Sequence, residues 1–184
     1  MILDTPASDG GIHSPYKEAA GARLARASLV QAYGRSDVQP GPVLGGVSPV
    51  RDVRDAVGGG TVTVMIDNPG GGVKLHTDGS VGFEVLPAEE RPYSVLWANV
   101  KIMSYSKNSV TLGPVPANAT RLRYLWYSNA CGLKLFNCPV YVEVPPLKGG
   151  LSGEHGFLPL GPFLAEIPQS KTEDTGVTAA VPQT

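Results

Sequence analysis

Glycine and proline are the residues that most constrain how this chain can fold. The sequence contains 23 glycines and 17 prolines among its 184 residues, which is well above the usual share of these two residue types. Glycine weakens a helix because it has the most backbone freedom to lose, and proline because it has no amide hydrogen to donate. This composition excludes a bundle of long helices and favours short strands that are joined by many turns.

Short segments with strand-like composition predict a mainly β fold class. The segments are 61–66, 73–77, 80–85, 94–103, 109–112 and 121–127. Apolar residues alternate on both sides of Asp78-Gly79, a dipeptide that tolerates the positive φ angles of a tight turn. We therefore predict a hairpin over residues 73–85, within an antiparallel, β-sandwich-like domain.

The segment 15–33 differs from the rest because it is rich in alanine and predicts one amphipathic helix. Its apolar stripe is expected to consist of Ala20, Leu24, Ala27 and Val30. Ser14 is the expected N-cap, Pro15 suits the first helical position, and Gly34 suits the position just past the end. An amphipathic helix must bury its stripe on something, and we expect that partner to lie outside the chain.

The composition divides the chain into four parts. Residues 1–34 hold a loop and the helix, and residues 35–60 form a Pro/Gly-rich linker. Residues 61–168 form the β domain, and the polar residues 169–184 form a tail that we expect to be disordered.

Charge and hydropathy limit the partners of the chain. Its 15 basic and 16 acidic residues give a net charge of −1, which argues against nucleic acid and against an anionic membrane surface. No window approaches the roughly 18 consecutive apolar residues of a membrane helix. Met1 is followed closely by Asp4 and Pro6, so we expect no signal peptide in this chain. From the N-terminal sequence alone we therefore expect a cytosolic location.

The three histidines are His13, His76 and His155, and none has the spacing of metal ligands. The glycine runs match neither a dinucleotide fingerprint nor a phosphate loop, so we expect neither a metal nor a cofactor. We expect His76 to be a surface residue, and His155, in a Gly-flanked loop, to have no functional role. His13 lies just before the helix and four residues after Asp9, where a loop can present an imidazole beside a carboxylate that orients it.

Cys131 and Cys138 are the only cysteines. Two cysteines do not complete a zinc site, and their spacing is not that of a redox Cys-x-x-Cys motif. We predict a local disulfide, whose loop closure is worth about 2.5 kcal/mol. Asn118 begins the glycosylation sequon Asn-Ala-Thr. Both features favour an oxidising compartment, in conflict with the expected lack of a signal peptide.

Two parts of the sequence resemble sialate O-acetylesterases. The C-terminal part of that family's sequences has an Arg-Tyr-x-Trp strand, a Cys…Cys-Pro-x-Tyr segment and a Leu-Pro-x-x-Pro-Phe terminus. The corresponding segments here are 123–131 (RYLWYSNAC), 137–141 (NCPVY) and 158–163 (LPLGPF). Near the N-terminus, Gly11-Ile12-His13, Lys17, Arg23-Leu24 and Ala32-Tyr33-Gly34 resemble the last loop and helix of the family's hydrolase domain.

The resemblance implies an SGNH-type α/β hydrolase domain followed by β structure, and removal of O-acetyl esters from sialic acids by a Ser-His-Asp mechanism. His13 would then be the catalytic base and Asp9 its orienting carboxylate. Two departures are that Ser14 replaces the family's proline, and that Asp9 lies four rather than three residues before the histidine. The better-known eukaryotic members are secreted or lysosomal glycoproteins.

No serine of this chain matches the family's nucleophile block. We therefore interpret the chain as the C-terminal part of such an enzyme, inactive alone, with the N-terminal hydrolase segment as its partner and an O-acetylated sialic acid or related sugar as its substrate. One alternative is a stand-alone carbohydrate-binding module; another is a subunit that donates His13 to a split hydrolase. Aromatic residues could stack on sugars, although we expect core packing for each of Trp97, Trp126, Tyr127 and Tyr141.

Overall fold

The computed structural model describes residues 3–7, 9, 11, 13–51, 59–76, 82–88, 96–127, 130–147 and 156–169. Within these residues the chain has one helix and ten strands. They are α1 (Lys17–Gln31), β1 (Val43–Val47), β2 (Gly60–Asp67), β3 (Gly72–Leu75), β4 (Phe83–Pro87), β5 (Ala98–Tyr105), β6 (Ser109–Val115), β7 (Ala119–Tyr124), β8 (Val140–Glu143), β9 (Phe157–Pro159) and β10 (Phe163–Glu166).

The strands form two antiparallel sheets around one core, which confirms the predicted mainly β fold. The larger sheet has the order β1-β2-β6-β5-β4-β7-β10, and the smaller one has the order β3-β8-β9. The edge strands β1 and β10 approach each other, so the larger sheet curls into a barrel-like sandwich. Alternate residues of the strands supply the core, with Val62, Phe83, Leu112, Tyr124 and Val142 all fully buried.

The hairpin predicted over residues 73–85 is wrong. β3 pairs with β8, whereas β4 lies between β5 and β7 in the other sheet. Asp78 and Gly79 lie outside the described residues. An Asp-Gly dipeptide favours a change of chain direction, but pairing is decided by which strands can share a buried face, and here the two strands serve opposite sheets.

Four strands were missing from the sequence prediction. β1 lies within the Pro/Gly-rich residues 35–60, where it pairs with β2. β8, β9 and β10 are only three or four residues long and lie near the end of the chain. Segments this short do not carry enough alternation to be recognised locally, and long-range pairing stabilises them. Of the tail predicted to be disordered, only Gln169 lies within the described residues.

The helix is confirmed, but its start differs from the prediction. α1 begins at Lys17, and Tyr16 occupies the N-cap without a side-chain hydrogen bond. Ser14 lies two residues earlier, where its Oγ accepts a hydrogen bond from the backbone N–H of Tyr16 at 3.2 Å. Ser14 therefore orders the turn before the helix instead of capping the helix. Gly34 has φ of 63°, as expected for a glycine beyond a helix end.

The buried face of α1 also differs from the prediction. Ala19, Ala22 and Arg26 are buried, whereas Leu24 is 69% exposed. Ala27 is exposed as well. Arg26 attaches the helix to the rest of the chain by hydrogen bonds to the carbonyls of Gln39 and Pro145, and Ala19 and Ala22 are its other buried residues. The larger apolar side chain of Leu24 faces away from the part of the chain that the structure describes.

Tyr124 provides a test of the packed core in alkaline solution. Its side chain is fully buried, and its hydroxyl accepts a hydrogen bond from the N–H of Val140 at 3.1 Å. Burial raises the pKa of Tyr124 above the ordinary value of 10.0. The unfolded chain therefore loses this proton first, so stability is complete below the ordinary pKa and falls as the pH rises above it.

We expect Tyr124 to add about 1 kcal/mol to the loss of unfolding free energy between about pH 10 and 11. The measurement is urea unfolding of the parent chain and of Tyr124→Phe at several pH values. The unfolding free energy of the variant should fall less steeply with pH in this range than that of the parent chain, whatever the stability of the variant at neutral pH. Tyr105→Phe, which changes an exposed ring, should behave like the parent chain. Equal slopes for the parent and Tyr124→Phe would contradict the prediction.

Candidate functional site

His13 and Asp9 lie on the segment that leads into α1. Both side chains are exposed. The Oδ1 atom of Asp9 accepts a hydrogen bond from the N–H of Gly11 at 2.9 Å, so this carboxylate orders its own loop. Among the described residues no hydrogen bond joins Asp9 to His13. The structure thus presents an accessible imidazole, while the catalytic roles of His13 and Asp9 stay predictions.

A buried ion pair attaches the same segment to α1. Asp4 is fully buried, and its two carboxylate oxygens accept hydrogen bonds from Nη1 and Nη2 of Arg23 at 2.5 and 2.8 Å. The hydroxyl of Tyr141, in β8, donates to Oδ2 of Asp4 at 2.9 Å. Burial, more than the negative charge of Asp4, raises the pKa of Tyr141, so its phenol stays a proton donor. Asp4 therefore ties the N-terminal segment, α1 and β8 together.

The disulfide loop adds a second attachment. Cys131 and Cys138 are bonded, which confirms the predicted pairing. The N–H of Cys138 donates to the hydroxyl of Tyr141 at 3.1 Å, and the N–H of Phe136 donates to the carbonyl of Asp4 at 2.7 Å. The disulfide closes the loop that holds the backbone of Asp4, so the covalent link and the ion pair stabilise one arrangement.

Asp4 was not among the functional candidates that the sequence indicated. Its partners were visible, because Arg23 and Tyr141 both belong to the segments that resemble the esterase family. What was not visible is their contact, since Asp4 and Tyr141 are 137 residues apart in the chain. A lone aspartate in an apolar N-terminal segment was the available signal, because a buried carboxylate requires a cationic partner.

Arg26 is a second buried cation of α1. Its guanidinium donates to the carbonyl of Gln39 at 2.8 Å and to the carbonyl of Pro145 at 2.7 Å. A cavity of ≈ 390 Å³ lies beside it, between α1 and the residues around β1 and β9. Its described lining residues include Val30, Val43 and Leu158 but no serine, histidine, cysteine or carboxylate. The lining therefore offers no nucleophile or proton-transfer group.

The other predicted positions have simpler surroundings. His76 is exposed as expected, with Nδ1 3.2 Å from the carbonyl oxygen of Phe136, whereas His155 lies outside the described residues. Asn118 is exposed in the turn between β6 and β7, and its glycosylation stays a prediction. Within the described ranges, no group of three His, Cys, Asp or Glu side chains could hold a metal ion.

The four aromatic residues considered for sugar stacking have different environments. Tyr141 is buried, as expected for core packing. Core packing is wrong for Trp126 and Tyr127, which are 51% and 42% exposed. Trp97 is half-buried, with the guanidinium carbon of Arg123 lying 4.2 Å from the centroid of its ring. β7 ends at Tyr124, three residues earlier than predicted, and this early end leaves Trp126 outside the sheet.

The chain has no helix, within its described parts, that is long and apolar enough to span a membrane. No curated protein matches the chain in sequence.

Comparison with known proteins identifies the family. In fold, the chain is similar to a carbohydrate acetylesterase from Xanthomonas citri, with a TM-score of 0.58 and 20% sequence identity. That similarity covers 88% of this chain but only 31% of the other, so the chain spans about a third of that protein. Residues 54–148 match the C-terminal domain of sialate O-acetylesterases. The match covers more than half of the sequence, and the chain therefore belongs to the family of sialate O-acetylesterase C-terminal domains.

Proposed function

We propose that this chain is the C-terminal part of an esterase that removes acetyl groups from O-acetylated sialic acids or related sugars. The observation that carries the proposal is the attachment of the His13 segment to the family domain through Asp4, Arg23 and Tyr141. A histidine on a segment that is attached in this way to a domain of an esterase family is suited to act as a general base. The fold similarity to a longer carbohydrate acetylesterase supports the same assignment.

In the proposed mechanism, a preceding hydrolase segment supplies the serine and the oxyanion donors. His13 accepts the proton of the serine hydroxyl as the oxygen attacks the acetyl carbonyl. The protonated imidazole then donates that proton to the departing sugar oxygen, which leaves an acetyl-serine. Water attacks this ester with His13 again as base, so that acetate is released and the serine is restored.

The anchors of the His13 segment have a mechanical role in this proposal. Asp4 and Arg23 bracket the segment, and their ion pair brings its two ends together. A segment with both ends attached reaches fewer positions than a free chain end, which lowers the entropy cost of reaching the serine. Asp9 is the candidate to orient His13, after a change of partner from the N–H of Gly11 to the imidazole.

The exposed side of α1 is the candidate contact for the hydrolase segment. Leu24 and Ala27 lie on that side, next to Arg23 in sequence and therefore close to the end of the His13 segment. A packed contact there would bury apolar surface and bring the base towards the serine in one step.

Expression of the chain with and without the coding sequence that precedes Met1 tests the proposal. We expect the 184-residue chain to hydrolyse 4-nitrophenyl acetate no faster than the buffer, because it would hold a base without a nucleophile. The longer polypeptide should hydrolyse both this ester and O-acetylated N-acetylneuraminic acid. Supplying the hydrolase segment as a separate chain distinguishes one continuous enzyme from a split one.

Two results would contradict the proposal. One is turnover by the 184-residue chain that disappears in His13→Ala, because the serine would then lie within this chain. The other is a native protein of 19.2 kDa that begins at Met1 and gains no esterase activity with any partner from the same cells.

A further inference from the structure

We propose that the outer face of β4 and β7 carries a binding site for a neutral sugar ring, formed by Glu84, Arg123, Trp97 and Tyr127 and bordered by Trp126. This site shares no residue with the His13 segment, and it would bind sugar in the isolated chain whether or not the chain belongs to an active esterase.

The polar centre of the site is a paired glutamate and arginine on adjacent strands. Glu84 in β4 lies directly opposite Arg123 in β7. Nε and Nη2 of Arg123 donate to the two carboxylate oxygens of Glu84, at 2.7 and 3.0 Å. Their neighbours Phe83 and Tyr124 point into the core, so Glu84 and Arg123 point to the opposite face of the sheet, where their side chains are 12% and 19% exposed.

Two aromatic residues interact with this pair. Trp97, just before β5, stacks against the guanidinium of Arg123. Tyr127, just after β7, is 42% exposed, and burial, more than the negative charge of Glu84, raises the pKa of its phenol. Its phenol therefore remains a hydrogen-bond donor at neutral pH.

The backbone at the end of β7 turns the aromatic residues outward. Leu125 has φ of 50°, a left-handed conformation that costs a leucine roughly 1 kcal/mol. Its N–H donates to the carbonyl of Gly82 at 2.8 Å, and its side chain is buried. The turn keeps Leu125 in the core while Trp126 and Tyr127 reach the surface. Packing therefore accounts for Tyr124 and Leu125 but not for the exposure of Trp126.

The chemistry of this face fits a sugar ring. The C–H face of a pyranose can stack on an aromatic ring, while its hydroxyl groups exchange hydrogen bonds with a carboxylate, a guanidinium and a phenol. Glu84 neutralises Arg123, so the centre has no net charge to attract an anion. A neutral hexose therefore fits this site better than the carboxylate of a free sialic acid.

Titration of the 184-residue chain with methyl glycosides tests the site. The probes are the methyl β-glycosides of galactose, glucose and N-acetylglucosamine. The chain has two tryptophans, so its amide spectrum contains only two indole N–H signals, from Trp97 and Trp126. We expect at least one glycoside to shift these signals saturably, with a dissociation constant of about 0.1–10 mM.

Single substitutions show whether the shifts come from this face. Trp126→Ala and Tyr127→Ala should each weaken binding about tenfold or more, as followed by the Trp97 signal. Tyr105→Ala removes an equally exposed ring from β5 and should leave the affinity unchanged. The proposal is overturned if no glycoside gives a saturable shift, or if both substitutions on the proposed site leave the affinity as it was.

Discussion

Replacing Arg23 by methionine should lower the free energy of unfolding by about 3–5 kcal/mol, because it leaves a buried carboxylate without a cation. Asp4 is fully buried, and Arg23 provides both charge-assisted hydrogen bonds to its oxygens. The hydroxyl of Tyr141 alone would not compensate for the desolvation of this charge. Urea unfolding at neutral pH, followed by tryptophan fluorescence, measures the loss.

The chain contains a matched control for this substitution. Arg35 and Asp37 form an equally short pair, but both side chains are about half exposed. Arg35→Met should therefore change the free energy of unfolding by less than about 1 kcal/mol, since water replaces the lost contact. A similar loss in Arg23→Met and Arg35→Met would contradict the assignment of Asp4 and Arg23 as a structural anchor.

A double substitution separates charge from packing. Asp4→Asn removes the carboxylate charge and keeps nearly the same volume. Combined with Arg23→Met, it should restore part of the stability that the single arginine substitution loses, because no unpaired charge remains buried. If the two substitutions instead add their full separate losses, packing rather than charge determines the cost.

In the longer polypeptide proposed as the active esterase, His13→Ala should lower kcat for acetyl ester hydrolysis by about 10³-fold or more. Without the imidazole, nothing accepts the serine proton during attack, and nothing returns it to the departing sugar oxygen. The measurement is steady-state hydrolysis of O-acetylated N-acetylneuraminic acid. The effect is expected in kcat, because His13 acts in the transition state and does not hold the sugar.

His76→Ala is the control for that experiment. His76 is exposed and lies outside the segment that carries His13, so its removal should leave kcat within about twofold. Residual activity of His13→Ala close to that of His76→Ala would show that the base lies elsewhere. Asp9→Asn should give a smaller loss than His13→Ala if Asp9 only orients the imidazole.

Local sequence patterns predicted most of the strands, because the alternation of apolar and polar residues that marks a strand is visible within a few residues. Alternation in residues 61–66 and 109–112 places apolar side chains on one face, and both segments became core strands of the larger sheet. The same patterns contain no information on partners. Residues 73–77 and 80–85 resembled the two arms of a hairpin, although their strands belong to different sheets.

The helix shows the same division between local and tertiary causes. Its alanine-rich composition predicted helical backbone, and the structure has it. The identity of its buried face depended on Arg26, whose burial requires the carbonyls of Gln39 and Pro145. A charged residue is ordinarily assigned to the solvent side, so periodicity alone selected the stripe that contains Leu24.

The sequence by itself determined the mainly β class, the Cys131–Cys138 disulfide and the resemblance to sialate O-acetylesterases. Each depends on composition, on spacing or on short motifs, which act over a few residues. The tertiary structure alone decided which strands pair, that Asp4 joins Arg23 and Tyr141, and that Trp126 faces outward. These features depend on contacts between residues that are far apart in the sequence. A charge or an aromatic ring is buried, and acquires its partners, only when the whole chain has folded.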